Sequence, residues 1–234
     1  MSAIKADTGR AGIVLAGGRS TRFADGDKAL APLGGRPLLT RAVEAVSPVV
    51  DEVIVSCRAD QRPAFESALA GESVSFVVDP IDGLGPVAGL RTALRETERL
   101  TAVVTACDLP LVPSAFLGHL LDRVEQSTTA GVVIRTGGRT QPFPTAVNVR
   151  AAAAAATEAL DTGGNLRDVV ESLAPVVIPE RHVAATVGIE RLLDVDTRAD
   201  LARAEEILAR GAPRGPADEL PPGDGGMRPN SRRS

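Results

Sequence analysis

The sequence contains no tryptophan or tyrosine and only five phenylalanines in 234 residues. So few aromatic faces argue against a surface that stacks single-stranded bases. Histidine is nearly as scarce: His119 and His182 are the only two. Both lie far along the chain from the polar loops discussed below. No Ser/His/Asp or Cys/His arrangement is readable, so neither acyl nor thiol chemistry is expected. Cys57 and Cys107 stand apart, each closing an apolar run. Two buried free thiols are expected there, not a disulfide or a metal site. No apolar run approaches the roughly 18 residues needed to span a bilayer. The opening MSAIKADTGR has no hydrophobic stretch of the kind a signal peptide carries, so the expected location is cytoplasmic. The net charge of −4 offers no basic excess for nucleic acid or an anionic membrane. Lysine is almost absent too. Of 26 basic residues only Lys5 and Lys28 are lysines.

Apolar residues make up 44% of the chain, enough to pack the core of one sizeable domain. Apolar runs with little alternation predict buried strands over Gly12–Leu15, Asp51–Cys57, Val74–Val78 and Ala102–Cys107. Segments with apolar residues at helical spacing fall between them, over Pro37–Val49, Arg62–Leu69, Pro86–Arg99 and Ser114–Glu125, the last with Ser114 as its cap. Strand and helix in alternation imply an α/β fold: a mostly parallel sheet with helices on both faces. The second half is less regular. Gly131–Arg135 and Pro144–Val149 flank RTGGRTQPFP and read as a hairpin. Helices are expected over Ala151–Leu160 and Asn165–Leu173, strands over Pro175–Ile178 and Glu190–Val195, and a last helix over Arg198–Ala209. Thr197 and Asp200 suit a capping box for that helix. Residues 1–10 are expected to be an extension, 11–210 the domain, and 211–234, rich in Pro, Gly and charge, a disordered tail.

Ligands on open α/β sheets sit beyond the carboxyl ends of the strands. Three polar segments fall there. The first is Ala16–Lys28, within LAGGRSTRFADGDKAL (Leu15–Leu30). Gly17 and Gly18 expose backbone amides to an anion, while Arg19, Arg22 and Lys28 add positive charge. The stretch is not a Walker loop, because Ala29 follows Lys28 where a metal-binding hydroxyl is needed. Lys28 stands out because this chain otherwise chooses arginine. A compact ammonium does in a tight site what a planar fork cannot. The second segment holds Asp79 and Asp82. Asp79 reads either as an acceptor for a base or ribose, or as a turn residue. The third is Asp108-Leu109-Pro110. Asp108 reads either as a turn aspartate before proline or as a ligand to Mg²⁺ on a polyphosphate, and the nearby phosphate loop favours the metal. Asp194 and Asp196 close the last apolar run. They either reach the same site, or one of them caps the last helix.

These segments resemble the signatures of the MobA-like nucleotidyltransferases, the molybdenum cofactor guanylyltransferases. LAGGRSTRFADGDKAL is similar to LAGGxSxRMGxDKxL, and DPIDGLGPVAGL (Asp79–Leu90) to DxxxxxGPLAG. CDLPLV (Cys107–Val112) resembles the family's metal motif, TQPFPTAVN (Thr140–Asn148) its QPxxALY, and DVDTRADL (Asp194–Leu201) its NxNTPEDL. The match runs in order over residues 11–208. It implies a Rossmann-like nucleotidyltransferase fold and a Mg²⁺-dependent transfer of GMP from GTP to the terminal phosphate of molybdopterin or Mo-molybdopterin, with release of pyrophosphate. It implies nucleotide binding by Leu15, Ala16, Gly17, Gly18, Lys28, Asp79 and Asp108. Catalysis would rest on Arg22, Lys28 and Asp108, with Asp108 as metal ligand. Gln141, Asp194 and Asp196 become candidates for the acceptor. Related readings are a CTP-, cobinamide-phosphate- or sugar-phosphate-using transferase, and a non-catalytic GTP-binding homologue. The chain departs from the signatures at Phe23-Ala24 for Met-Gly, Arg58 for an asparagine, Asp194 and Asp196 for two asparagines, and Arg198 for a proline.

Overall fold

The computed structural model describes residues 9–18, 23, 26–78 and 85–211. In chain order the strands are β1 (Arg10–Leu15), β2 (Pro32–Leu33), β3 (Arg36–Pro37), β4 (Glu52–Cys57), β5 (Ser75–Val78), β6 (Thr101–Ala106), β7 (Gly131–Thr136), β8 (Arg139–Asn148) and β9 (Val176–Pro179). The helices are α1 (Leu38–Val46), α2 (Arg62–Ala68), α3 (Pro86–Glu96), α4 (Ser114–Glu125), α5 (Val149–Thr162), α6 (Leu166–Ser172), α7 (Glu180–Thr186) and α8 (Arg198–Ala209). Seven strands form one sheet in the order β5-β4-β1-β6-β8-β7-β9. Only β8 runs against its neighbours, β6 on one side and β7 on the other. The sheet is therefore mostly parallel, as expected.

The Val- and Ile-rich strands pack on both faces, as parallel strands must. Along β1, Val14 enters one apolar cluster with α1 and α4, while Ile13 and Leu15 enter another with α3 and α5. Helix α1 buries Leu38, Leu39, Ala42, Val43 and Val46, the stripe that 3.6-residue spacing dictates. Each large apolar side chain so buried contributes about 1.5–3 kcal/mol. Gly12 lets α1 come close: a Cβ there would lie 2.0 Å from Cγ1 of Val46.

Topology places the site. From β1 the chain moves outward to β4 and β5, then returns to lay β6 on the other side of β1. The order reverses between β1 and β6, and a crevice opens outside their carboxyl ends at such a point. The loop after β1 and the Asp108 loop after β6 both leave from it.

Several expectations need correction. Glu190–Val195 is not a strand. Ile189–Leu192 is a 3-10 turn and the residues after it are irregular. The apolar alternation is real, since Val195 is fully buried. The segment lies over the Asp108 loop, where the Val195 N–H donates to the Asp108 carbonyl at 2.9 Å, and it takes no place in the sheet. Ser114 caps nothing: Pro113 is the N-cap of α4 and offers no side-chain hydrogen bond. Helix α7 is additional, held by the fully buried Val183. The hairpin is longer than expected, turning at Gly137 and Gly138 with φ of +55° and +74°, as a tight two-residue connection demands. The capping box of α8 is present as read, and α6 has one as well. Of the expected extension over residues 1–10, Arg10 already belongs to β1 and residues 1–8 lie outside the described residues; so do residues 212–234 of the expected tail over 211–234.

Candidate active site

Lys28 opens a 3-10 turn, Lys28–Leu30, immediately behind the loop that leaves β1. Asp27 caps this turn, its Oδ1 accepting from the Ala29 N–H at 3.0 Å. The Lys28 stem is well covered and its Nζ donates to two carboxylates: Asp108 Oδ2 at 2.9 Å and Asp196 Oδ1 at 2.6 Å. Three segments far apart in sequence thus meet at one ammonium. Burial works against the lysine's charge, yet Asp108 and then Asp196 outweigh it and hold its pKa above the ordinary value.

Asp194 completes an acidic group. The residue keeps its outer side to solvent. Even so, partial burial of the carboxyl, and then the like charges of Asp108 and Asp196, push its pKa up to about 6. Neither Asp194 nor Asp196 is the cap of α8, since Thr197 takes that position. The Asp200 carboxylate of the same capping box also accepts from the Asp196 N–H at 3.2 Å, so the box helps seat Asp196 beside Lys28.

The glycine pair has a clear layout. Ala16 is committed internally: its N–H donates to the Ser56 carbonyl at 2.8 Å, and its own carbonyl accepts from Gln61. The Leu15 carbonyl accepts from the Cys107 N–H. The amides of Gly17 and Gly18 take no partner among the described residues. Neither glycine has a left-handed φ. A Cβ on Gly17 would make only ordinary contacts, and one on Gly18 would meet nothing within 4 Å. Packing against the described residues therefore does not require glycine at either position.

Arg58, which stands where the resemblance implies a nucleotide-contacting asparagine, turns inward. Its Nη1 donates to the carbonyls of Gly17 and Gly18 at 3.0 and 2.8 Å. Its other nitrogens pair with Asp60. Two other departures from the signatures meet each other. Phe23 is buried with Leu111, Val195 and Leu201 in an apolar cluster beneath the site, and the Arg198 guanidinium lies 4.9 Å from its ring centre.

Of the expected site residues, Lys28, Asp108, Asp194 and Asp196 are brought together, beside Leu15, Ala16, Gly17 and Gly18. Gln141 is on β8 and donates to Thr136 Oγ1 at 2.9 Å; no contact places it in the cluster. Arg19, Arg22, Asp79 and Asp82 lie outside the described residues. Both cysteines are free and buried, as read. Burial pushes the Cys57 thiol up to about 11 and raises Cys107 further, so neither is poised as a thiolate. Gln61 and Asp27 escaped the sequence reading. Their roles depend on hydrogen bonds between loops, which no local pattern records.

The carboxylates suit a divalent cation. Asp108 and Asp196 already converge on one positive charge, the lysine ammonium, and present hard oxygen donors. Among the described residues no three His, Cys, Asp or Glu side chains form a metal cage. Mg²⁺ is commonly held by one or two carboxylates together with substrate phosphates, and this pair meets that requirement.

A mostly parallel sheet with a lysine, an amide-bearing glycine pair and carboxylates at its switch point defines an α/β nucleotidyltransferase. The comparisons agree. The family model described as MobA-like NTP transferase domain matches residues 12–176. A probable molybdenum cofactor guanylyltransferase of Haloferax mediterranei is 44% identical over 196 residues, covering 83% of this chain and 92% of that protein. The crystal structure of molybdopterin-guanine dinucleotide biosynthesis protein A from Archaeoglobus fulgidus superposes with a TM-score of 0.71 at 25% identity, covering 86% of this chain and 99% of that one. A Mycobacterium tuberculosis protein solved as a manganese complex shares the fold, with a TM-score of 0.62 at 23% identity, covering 85% of this chain and 99% of that one. The chain belongs to the MobA-like NTP transferase family and is a nucleotidyltransferase.

Proposed function

We propose that the chain transfers GMP from GTP to the terminal phosphate of molybdopterin or Mo-molybdopterin, with Mg²⁺ as cofactor. The observation that carries this reading is the convergence of Lys28, Asp108 and Asp196 at the β1/β6 switch point, beside two glycine amides that take no partner among the described residues. The choice of guanine and of a pterin acceptor is supported by the names of the Haloferax and Archaeoglobus relatives and by the LAGG form of the first motif. That a Mycobacterium protein of this fold was solved as a manganese complex supports a divalent cation as cofactor.

In the reaction a terminal phosphate oxygen of the acceptor bonds to the α-phosphorus of GTP. The bond from that phosphorus to the bridging oxygen breaks, and pyrophosphate leaves with the electron pair. The acceptor phosphate has a second pKa near 6 and is largely dianionic at neutral pH. No general base is then needed, which fits a site without histidine. The residues have two tasks, charge neutralisation and alignment. The Gly17 and Gly18 amides receive phosphate oxygens. Arg58 holds the Gly17 carbonyl and so fixes the peptide that carries the Gly18 N–H. Lys28 offers its ammonium to the triphosphate. Asp108 and Asp196 would hold Mg²⁺, which when bound neutralises charge on the leaving pyrophosphate. Arg22 adds a further cation in this reading.

The test is pyrophosphate release from GTP, CTP or ATP, with and without molybdopterin. Release from GTP that requires molybdopterin is the expected result. Release from CTP alone would assign the cytidylyl reaction instead. Tight GTP binding without turnover would assign a binding protein.

A further inference from the structure

Gln61 is 4% exposed and lies just ahead of α2, in the loop after β4. No charge in the proposed reaction touches it. Its amide nevertheless joins three segments of the site. Oε1 accepts from the Arg58 N–H at 2.9 Å. Nε2 donates to the Ala16 carbonyl at 3.2 Å and also to Asp27 Oδ2. Only this orientation of the amide works: reversed, its oxygen would face two oxygen acceptors and its NH₂ would face an N–H.

The Asp27 carboxylate is thereby fixed at both ends. One oxygen takes Gln61, and the other takes the Ala29 N–H of the turn that begins with Lys28. That turn is three residues long and cannot hold its own shape, since a first helical turn in isolation is unfavourable. Its direction comes from its cap, and the cap is oriented by Gln61. The same amide secures Ala16, from which the glycine pair departs. A buried and nearly satisfied polar network of this kind specifies one geometry.

We propose that Gln61 is a positioning residue: through Asp27 it aims Lys28, and through the Ala16 carbonyl it sets the lysine's distance from the glycine pair. This rests on the reading of Lys28 as a triphosphate-binding side chain.

The experiment is a double-mutant cycle read by calorimetric titration of Mg·GTP into the full chain. The proteins are wild type, Gln61→Met, Lys28→Met and the double variant, with thermal melts of each. Gln61→Met keeps the volume and removes the hydrogen bonds, and is expected to weaken binding about tenfold. In the Lys28→Met background the same change is expected to alter affinity less than about twofold, because the group it aims is gone. An equal loss in both backgrounds would show a merely structural role and overturn the proposal; so would no loss in the wild-type background. If Lys28→Met binds as tightly as wild type, the reading of Lys28 itself fails, and that outcome is distinct from the others. Should Gln61→Met melt below the assay temperature, a second pair gives the answer. Gln61→Glu sets two carboxylates against each other and is expected to lose binding. Adding Asp27→Asn supplies an amide donor to the new carboxylate and is expected to restore about tenfold of it; no recovery overturns the proposal.

Discussion

Lys28 is a cation between carboxylates, and its removal has consequences for stability as well as for chemistry. In Lys28→Met the carboxylates of Asp108, Asp194 and Asp196 face one another without an ammonium. Loss of these half-buried pairs is expected to cost about 1–3 kcal/mol at neutral pH. The loss should grow from pH 5 to pH 8. Asp194, held up to about 6 by partial burial and then by its acidic neighbours, is protonated at the lower pH and charged at the higher. A raised carboxyl pKa is a contribution present below the unfolded value and lost as pH rises through the folded one. In the proposed reading, Mg²⁺ on Asp108 and Asp196 fills the place the ammonium leaves. Millimolar Mg²⁺ is therefore expected to raise the melting temperature of Lys28→Met by a few degrees more than that of wild type, at roughly 2–4 °C per kcal/mol for a chain of this size. Equal shifts in the two proteins would separate the lysine from the cation seat.

At the scale of elements, the segment before α8 does most to complete the site. It lies over the Asp108 loop through one backbone hydrogen bond and the buried Val195. The α8 capping box then fixes its far end, with Asp200 accepting from Thr197 and from the Asp196 N–H. Thr197→Ala is expected to cost about 1 kcal/mol of stability at pH 7 in chemical denaturation. The hydrogen bond from the Thr197 side chain holds the Asp200 carboxyl below its ordinary pKa. That contribution exists above the usual carboxylate range and disappears as pH falls through the depressed value. The difference between Thr197→Ala and wild type should therefore shrink at acid pH; a difference that stays constant down to pH 3 would remove Asp200 from the account. This segment also shows where sequence reading stops. Leu193 and Val195 alternate as in a strand, and the alternation does mark a buried side. Whether a sheet neighbour exists to pair with is a property of the whole topology, invisible in a run of six residues.

At the scale of the molecule, the alternation of strand and helix was legible because each parallel strand is buried on both faces and each helix on one. That the glycine pair and Asp108 follow buried strands at one edge of the sheet was legible too, since glycine and charge directly behind a buried strand have few structural uses. That Lys28 meets Asp196 was not legible, because 168 positions separate them and only the closed fold joins them. Nor was Gln61, an ordinary amide until three loops surround it. The apolar cluster of Phe23, Leu111, Val195 and Leu201 explains part of this architecture. It joins Phe23, the Asp108 loop and the last helix in one apolar cluster. The account's central claim is that this junction carries nucleotidyl transfer. The most direct measurement is the initial rate of pyrophosphate release from GTP with molybdopterin and Mg²⁺, in wild type and in Asp108→Ala with a matching melting curve. The account predicts a loss of at least about a hundredfold in a folded protein. Undiminished release by folded Asp108→Ala would contradict it.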